Sequence, residues 1–222
     1  MKRFGVIGAG ILGLAVAYRL QQRHPSAEVV VFEKEAGPGM HQSGRNSGVL
    51  HSGLYYRPGS LKSRLAVDGI RSMVAFCRRH DIPHELCGKI VVASNEHEKR
   101  CLGNLAARGA ANGLKGLRYL ERSERQRREP CVSAVASLLV PEEGIVDYPA
   151  VMRRLESVVL QHGGTFCYGS PVLALSSDRT ITVITARREV SVDFLISCAG
   201  LYADRLYQIG TGQSAKDRKS VV

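Results

Sequence analysis

An α/β fold built on a parallel β-α-β unit is predicted from three observations near the start of the chain. Residues 4–7 (FGVI) form a short apolar run of strand type. The turn Gly8-Ala9-Gly10-Ile11-Leu12-Gly13 follows at once and opens onto residues 14–22, a good helix former. Residues 28–33 (EVVVFE) then supply a second strand, whose β-branched run suits a parallel sheet covered on both faces.

The glycines have separate duties in such a unit. Gly8 permits the tight turn out of the strand, Gly10 lets a pyrophosphate approach the backbone, and Gly13 lets the helix pack closely on the sheet. The N–H groups and dipole of the helix then favour an anion. Glu33 ends the second strand, where a carboxylate can accept hydrogen bonds from both ribose hydroxyls of an adenosine. A 2'-phosphate would be repelled there, so a dinucleotide without one is expected.

Composition supports an ordinary folded chain: 222 residues, 44% hydrophobic and 23% charged, near the globular average and unlike collagenous or disordered sequences. The net charge of +11, from 31 Lys+Arg against 20 Asp+Glu, favours anionic partners. With no Trp and only 6% aromatics there is little to stack on bases, so nucleic acid is not expected. Residues 118–128, the densest basic stretch, read as a solvated helix face. The six cysteines contain no CxxC pair and no histidine at ligand spacing, so no metal site is expected and the thiols read as reduced and cytosolic. Cys198 reads as a packed position rather than a redox centre. Residues 4–18 are too short and glycine-broken for a membrane span, and no small-residue cleavage site follows to suggest a signal peptide.

The stretch after Glu33 separates the candidate cofactors. A simple NAD dehydrogenase would return quickly to a helix and a third strand. Here a long run of small and polar residues, with HQSGRNSGVLHSGLYY at 41–56, can wrap a longer anionic ligand, and Arg45 is a candidate phosphate partner.

At these residues a resemblance becomes specific. GAGILGLAVAYRL and VVVFEKE, followed by HQSGRNSGVLHSGLYYRPGSLKSRLAVDG, resemble the FAD-dependent oxidoreductases of the D-amino-acid-oxidase and glycerol-3-phosphate-dehydrogenase superfamily. Within it, residues 41–69 are similar to the L-2-hydroxyglutarate dehydrogenase (oxidase) family, and the likeness continues through GKIVV at 88–92, PEEGIVDY at 141–148 and SCAGLYAD at 197–204. It covers residues 1–209.

The resemblance implies a Rossmann-like FAD-binding domain, discontinuous over residues 1–80 and 145–210, with 81–144 as part of an inserted, incomplete α+β substrate domain. It implies a noncovalent FAD held by Gly8, Gly10, Gly13, Glu33, Lys34, Arg45, Asn46, Ser47, Val172, Ala199 and Gly200. The flavin ring would lie beside 47–55. The implied reaction removes a hydride from the 2-carbon of L-2-hydroxyglutarate, a small dicarboxylate, and gives 2-oxoglutarate. His51 either takes the hydroxyl proton, which an imidazole of ordinary pKa ~6.5 suits, or packs against the flavin. Tyr55, Arg57 and Lys62 are implied in substrate binding; Arg57 and Lys62 are either carboxylate anchors or surface cations.

Related amino-acid oxidation, glycerol-3-phosphate oxidation, or flavin binding without turnover are the alternatives. Oxygen, a quinone or another protein are the electron acceptors compatible with this reading. A quinone would suit peripheral contact of a cytoplasmic protein with the inner face of a membrane, given the basic surface.

The remaining elements are scaffold. Ser60 caps a helix whose Leu61, Leu65, Ile70, Val74 and Cys77 lie near one face until residues 81–83. A strand at 89–93, a helix at 96–111 closed by Asn112-Gly113, and a capping box at Ser123-Glu124-Arg125-Gln126 follow. A helix begins at Asp147 and runs to about His162. Strands are predicted at 165–168, 172–176, 180–186 and 190–198. The family pattern implies a chain nearly twice as long, so the sequence reads as C-terminally truncated, with 211–222 a non-native or disordered tail.

Overall fold

The structure, a computed structural model, describes residues 1–177 and 179–212. The first half contains β1 (Arg3–Ile7), α1 (Ile11–Arg23), β2 (Glu28–Phe32), β3 (Val49–Leu50), α2 (Leu61–Arg79), β4 (His84–Glu85), β5 (Lys89–Ala93) and α3 (Glu96–Ala111). Then come β6 (Arg118–Tyr119), α4 (Arg122–Arg128), β7 (Ala136–Val140), β8 (Gly144–Val146), α5 (Tyr148–Gln161) and β9 (Thr165–Cys167). The described chain ends with β10 (Val172–Ser177), β11 (Ile181–Thr185), β12 (Glu189–Val192), β13 (Phe194–Ser197) and α6 (Ala203–Thr211).

These elements gather into two compact units, residues 1–46 with the described residues from 148 onward, and residues 47–147. The unit boundaries fall at 46/47 and 147/148, against the expected 80/81 and 144/145. Residues 47–80 belong to the second unit here because β3 pairs with β8, and because Val67 of α2 packs with Leu54, Leu114 and Val140.

In the first unit a parallel sheet has the order β13-β1-β2-β9. Alternation along its central strands explains burial on both faces. Phe4, Val6, Val29 and Val31 point to one face, against Ala17 of α1 and Val159 of α5. Ile7, Val30 and Phe32 point to the other, against Val183 and Val192 of the antiparallel β10-β11-β12 sheet and Leu206 of α6. Each such fully buried Val or Phe contributes about 1.5–3 kcal/mol. The predicted strand at 190–198 is split, since β12 belongs to the antiparallel sheet while β13 pairs in parallel with β1. Gln21 ties the two helices together, donating its side-chain amide to the carbonyls of Val159 at 3.0 Å and His162 at 3.1 Å.

The second unit holds two antiparallel sheets, β3-β8-β4 and β5-β7-β6. Ser60 caps α2, accepting the Ser63 N–H at 3.2 Å. The buried stripe of that helix is Ser63, Val67, Ile70, Val74 and Cys77. Leu61 and Leu65, expected in it from their spacing, are 60% and 59% exposed. The predicted box at Ser123 is also displaced: α4 is capped at Glu121 without a side-chain bond, and Ser123 lies inside the helix. A reciprocal pair of that kind sits instead at the start of α3, where Asn95 accepts the Glu98 N–H at 2.9 Å and Glu98 accepts the Ser94 N–H at 2.6 Å. The basic stretch 118–128 is part strand and part helix, and Arg125 within it is buried. Of the predicted tail, Thr211 ends α6 and Gly212 caps it at φ +68°, and 213–222 lie outside the described residues.

Gly13 shows how closely α1 seats on the sheet, because a Cβ there would overlap the carbonyl oxygen of Gly8. Helix propensity alone would favour alanine by ~1 kcal/mol. The clash is with backbone that cannot swing aside, so Gly13→Ala is expected to cost about 2 kcal/mol net, within the ~1–3 kcal/mol range of overpacking. A lowered urea midpoint checks this; a midpoint equal to or above that of the parent chain contradicts it.

Candidate nucleotide-binding site

A cavity of about 820 Å³ opens in the first unit at the carboxyl ends of β1 and β2. That is where open parallel sheets bind ligands, and the size lies within the ~300–1,000 Å³ of small-molecule sites. Gly8, Gly10, Glu33, Lys34, Arg45, Val172, Ala199 and Gly200, all predicted from sequence, line it.

The turn that forms its floor is held by backbone. Gly8 adopts φ +103° and donates its N–H to the Phe32 carbonyl at 2.8 Å. A Cβ on Gly8 would lie 2.5 Å from the Cys198 carbonyl oxygen, so only glycine lets β1 and the end of β13 meet here. Gly10 is the extended N-cap of α1 and has no side-chain cap bond. The first-turn N–H groups have no intrahelical acceptor; that of Ile11 donates to Ser43 Oγ at 3.0 Å.

Glu33 is fixed from both sides. Its carboxylate accepts the Ala9 N–H at 2.7 Å on one oxygen and the Glu35 N–H at 2.9 Å on the other. Each oxygen retains a further lone pair for a ligand hydroxyl. The amides therefore orient the acid that the sequence assigned to ribose.

A cluster of charge adjoins the cavity, with Lys34, His41 and Arg205 in its lining. Lys34, Glu35 and His41 interlock: Lys34 is paired with Glu35, while His41 Nε2 lies 2.8 Å from Glu35 Oε1 and 2.8 Å from Lys34 Nζ. Tyr202 is flanked by two cations, with Lys34 Nζ 4.7 Å and Arg205 Cζ 4.5 Å from its ring centroid, and His41 meets its edge at 6.1 Å. Ser43, His41, Tyr202 and Arg205 also line the cavity, and no motif in the sequence marks them individually. Cys198 lines it too; burial pushes its thiol upward, which keeps it protonated and inert at neutral pH.

Other predicted residues lie elsewhere. Gly13 is buried behind the cavity as a packing position. The Asn46 side-chain amide donates to the carbonyls of Ser43 at 2.8 Å and Gln42 at 3.3 Å, bracing the loop rather than lining the cavity. Ser47, His51, Tyr55, Arg57 and Lys62 belong to the second unit, where all five are exposed.

A glycine-floored cavity, an oriented acid at the end of β2 and cations on the wall define a dinucleotide-binding α/β unit. The fit to FAD rests on this set: the close approach at Gly8 and Gly10 suits a pyrophosphate, and Glu33 suits an adenosine ribose. The family profile described as FAD dependent oxidoreductase matches residues 3–219, and the chain belongs to that family.

Among curated relatives, the chain is 41% identical over 210 residues to an L-2-hydroxyglutarate dehydrogenase of Indibacter alkaliphilus, covering 94% of this chain and 53% of that protein. It is 38% identical over 211 residues to the Escherichia coli K12 enzyme of that name, covering 94% and 50%. The human mitochondrial one is 35% identical over 217 residues, covering 92% and 47%. The chain thus spans about half the length of the curated relatives it matches. Among solved structures, the L-alpha-glycerophosphate oxidase of Mycoplasma pneumoniae with FAD bound superposes with a TM-score of 0.82 at 27% identity, covering 95% of this chain and 57% of that one. Glycine oxidase of Geobacillus kaustophilus shares the fold with a TM-score of 0.82 at 21% identity, covering 94% and 58%.

Hydrogen bonds with Lys34 and His41 lower the Glu35 carboxyl from its ordinary 4.5 to about 2. A depressed carboxyl keeps its interactions above the ordinary value and loses them as pH falls through the lowered one. The Glu35 side-chain carbon is therefore expected to titrate by NMR near 2, and Lys34→Met is expected to move the midpoint up toward 4.5. A midpoint near 4.5 in the unsubstituted chain contradicts the cluster.

Proposed function

We propose that this chain provides the FAD-binding and first substrate-binding parts of an L-2-hydroxyglutarate dehydrogenase. The observation that carries the cofactor half is the single cavity shared by Gly8, Gly10, Glu33, Val172, Ala199 and Gly200, brought together from across more than 190 residues of sequence. The substrate half rests on the activity of the relatives and on the His51 to Lys62 segment that resembles theirs.

In this reading Glu33 accepts hydrogen bonds from the ribose hydroxyls. Gly8 and Gly10 leave room for the pyrophosphate beside the first turn of α1, and Arg45 and Lys34 offset its charge. FAD, when bound, supplies the hydride acceptor. His51 takes the proton of the substrate 2-hydroxyl as the C2–H hydride departs, which leaves the carbonyl of 2-oxoglutarate. Arg57 and Lys62 pair with the two carboxylates, and Tyr55 borders the same segment. All four side chains are exposed in the second unit.

Oxygen or a quinone receives the electrons. Among the described residues no helix is long and apolar enough to cross a membrane. In a cytoplasmic protein, the net charge of +11 suits peripheral contact with an anionic surface when the acceptor is a quinone.

The purified chain, loaded with FAD and held without oxygen, tests the reading. L-2-hydroxyglutarate is expected to bleach the flavin band at about 450 nm, while D-2-hydroxyglutarate, amino acids and glycerol 3-phosphate are not. His51→Gln is expected to slow bleaching about 10²–10⁴-fold, the usual worth of a general base, with FAD still bound. Bleaching by an amino acid or glycerol 3-phosphate instead points to a related oxidase. Bound flavin that stays oxidised with every substrate contradicts turnover by this chain.

A further inference from the structure

The second unit contains a carboxylate that the chemistry above does not use. Glu143, in the turn between β7 and β8, is 1% exposed. On one side, Oε1 accepts the Ser52 hydroxyl at 2.6 Å and the Ser52 N–H at 3.1 Å. On the other, Oε2 lies 2.5 Å from Lys89 Nζ as an ion pair without aligned hydrogen-bond geometry. The same ammonium stands 4.7 Å from the centroid of the Tyr55 ring. Burial raises the Glu143 carboxyl, but Lys89 and the two Ser52 donors outweigh it and hold the group below its ordinary value, so it is ionised at neutral pH.

An ionised carboxylate this deep is costly unless all its partners are in place, and removing one leaves an uncompensated charge. Its partners here are the residue next to His51 on one oxygen and, through Lys89, the ring of Tyr55 on the other. The surrounding segment is pinned as well. Asn112 donates its side-chain amide to the carbonyls of Gly53 at 3.2 Å and Tyr56 at 2.9 Å, and Arg108 donates to the Tyr55 carbonyl at 3.1 Å. Those bonds hold backbone only. Glu143 alone among these residues links the backbone beside His51 to the ring of Tyr55.

We propose that Glu143 is a positioning residue with two arms, setting the His51 backbone through Ser52 and the Tyr55 ring through Lys89. The claim that this positioning serves catalysis rests on the roles given to His51 and Tyr55 above; the coupling itself does not. Rigid support of this kind places reacting groups before substrate arrives.

The arms can be tested separately in the whole chain. It contains no tryptophan, so Tyr55→Trp installs a single indole beside Lys89. In that background Glu143→Gln is expected to shift the emission maximum to longer wavelength and increase iodide quenching. Lys89→Met is expected to do the same, with no further change in the double variant. The glutamine oxygen still accepts both Ser52 donors, so the His51 ring resonances should stay in place in Glu143→Gln and move in Ser52→Ala. Glu142→Gln, which removes the neighbouring carboxylate bonded to Arg71, should move neither reporter.

Unchanged Trp emission in Glu143→Gln overturns the proposal. So does movement of both reporters together with a fall in Tm, the signature of general loosening. With L-2-hydroxyglutarate and bound FAD, Glu143→Gln should slow bleaching on the order of tenfold without loss of flavin. A bleaching rate equal to the parent's overturns the catalytic role while the reporters still decide the coupling. If the parent chain itself fails to bleach, the proposed reaction falls and the two-armed coupling stands or falls on the reporters.

Discussion

The turn from β1 into α1 sets the position of everything around the cavity, because at that point three pieces of backbone meet with no side chain between them. Gly8 sits against the Cys198 carbonyl at the end of β13, its N–H is bonded to the end of β2, and Gly13 brings the helix onto the Gly8 carbonyl. The carboxyl ends of the central strands are thereby drawn to one edge. The first turn of α1 begins there, with the Ile11 N–H bonded to Ser43 Oγ. A side chain at Gly8 would separate β1 from β13, and with them Gly10 from Ala199 and Gly200.

Charge is organised around that turn in layers. Glu33 is aligned by backbone amides, which costs little reorganisation when a ribose arrives and keeps an anion near the mouth of the cavity. Lys34, Arg45 and Arg205 supply positive charge on the same lining. Tyr202 holds Arg205 and the Glu35-paired Lys34 against its ring. The second unit balances a buried acid differently: Glu143, almost fully buried and held below its ordinary pKa, is met by Ser52 and Lys89 within an otherwise exposed segment.

Much of this was legible from local pattern. The β-α-β opening is visible because two short, continuous apolar runs flank a glycine turn and a good helix former. The predicted limits of β5 and α3 agree with the structure because each ends on a strong local signal, such as Asn112-Gly113 after α3. The failures have a common cause in tertiary contact. Leu61 and Leu65 share a helix with the buried stripe, yet α2 turns the faces of Ser63 and Val67 inward instead. Arg125 lies in a run of charges that any pattern reads as solvated, and packing against β7 buries it. Tyr202 and Arg205 come from the end of the described chain, and no spacing rule ties them to Lys34. Glu143 sits in a polar PEEG turn that gives no sign of its burial.

At the centre stands the claim that the first unit's cavity holds the adenosine diphosphate half of FAD. Titration of the chain with FAD, followed by competition with ADP and with FMN, tests it most directly. ADP is expected to displace FAD at a single site while FMN at the same concentration does not, since the proposed roles of Gly8, Gly10 and Glu33 are toward the pyrophosphate and the adenosine ribose. Displacement by FMN and not by ADP, or failure of FAD to bind, would contradict it.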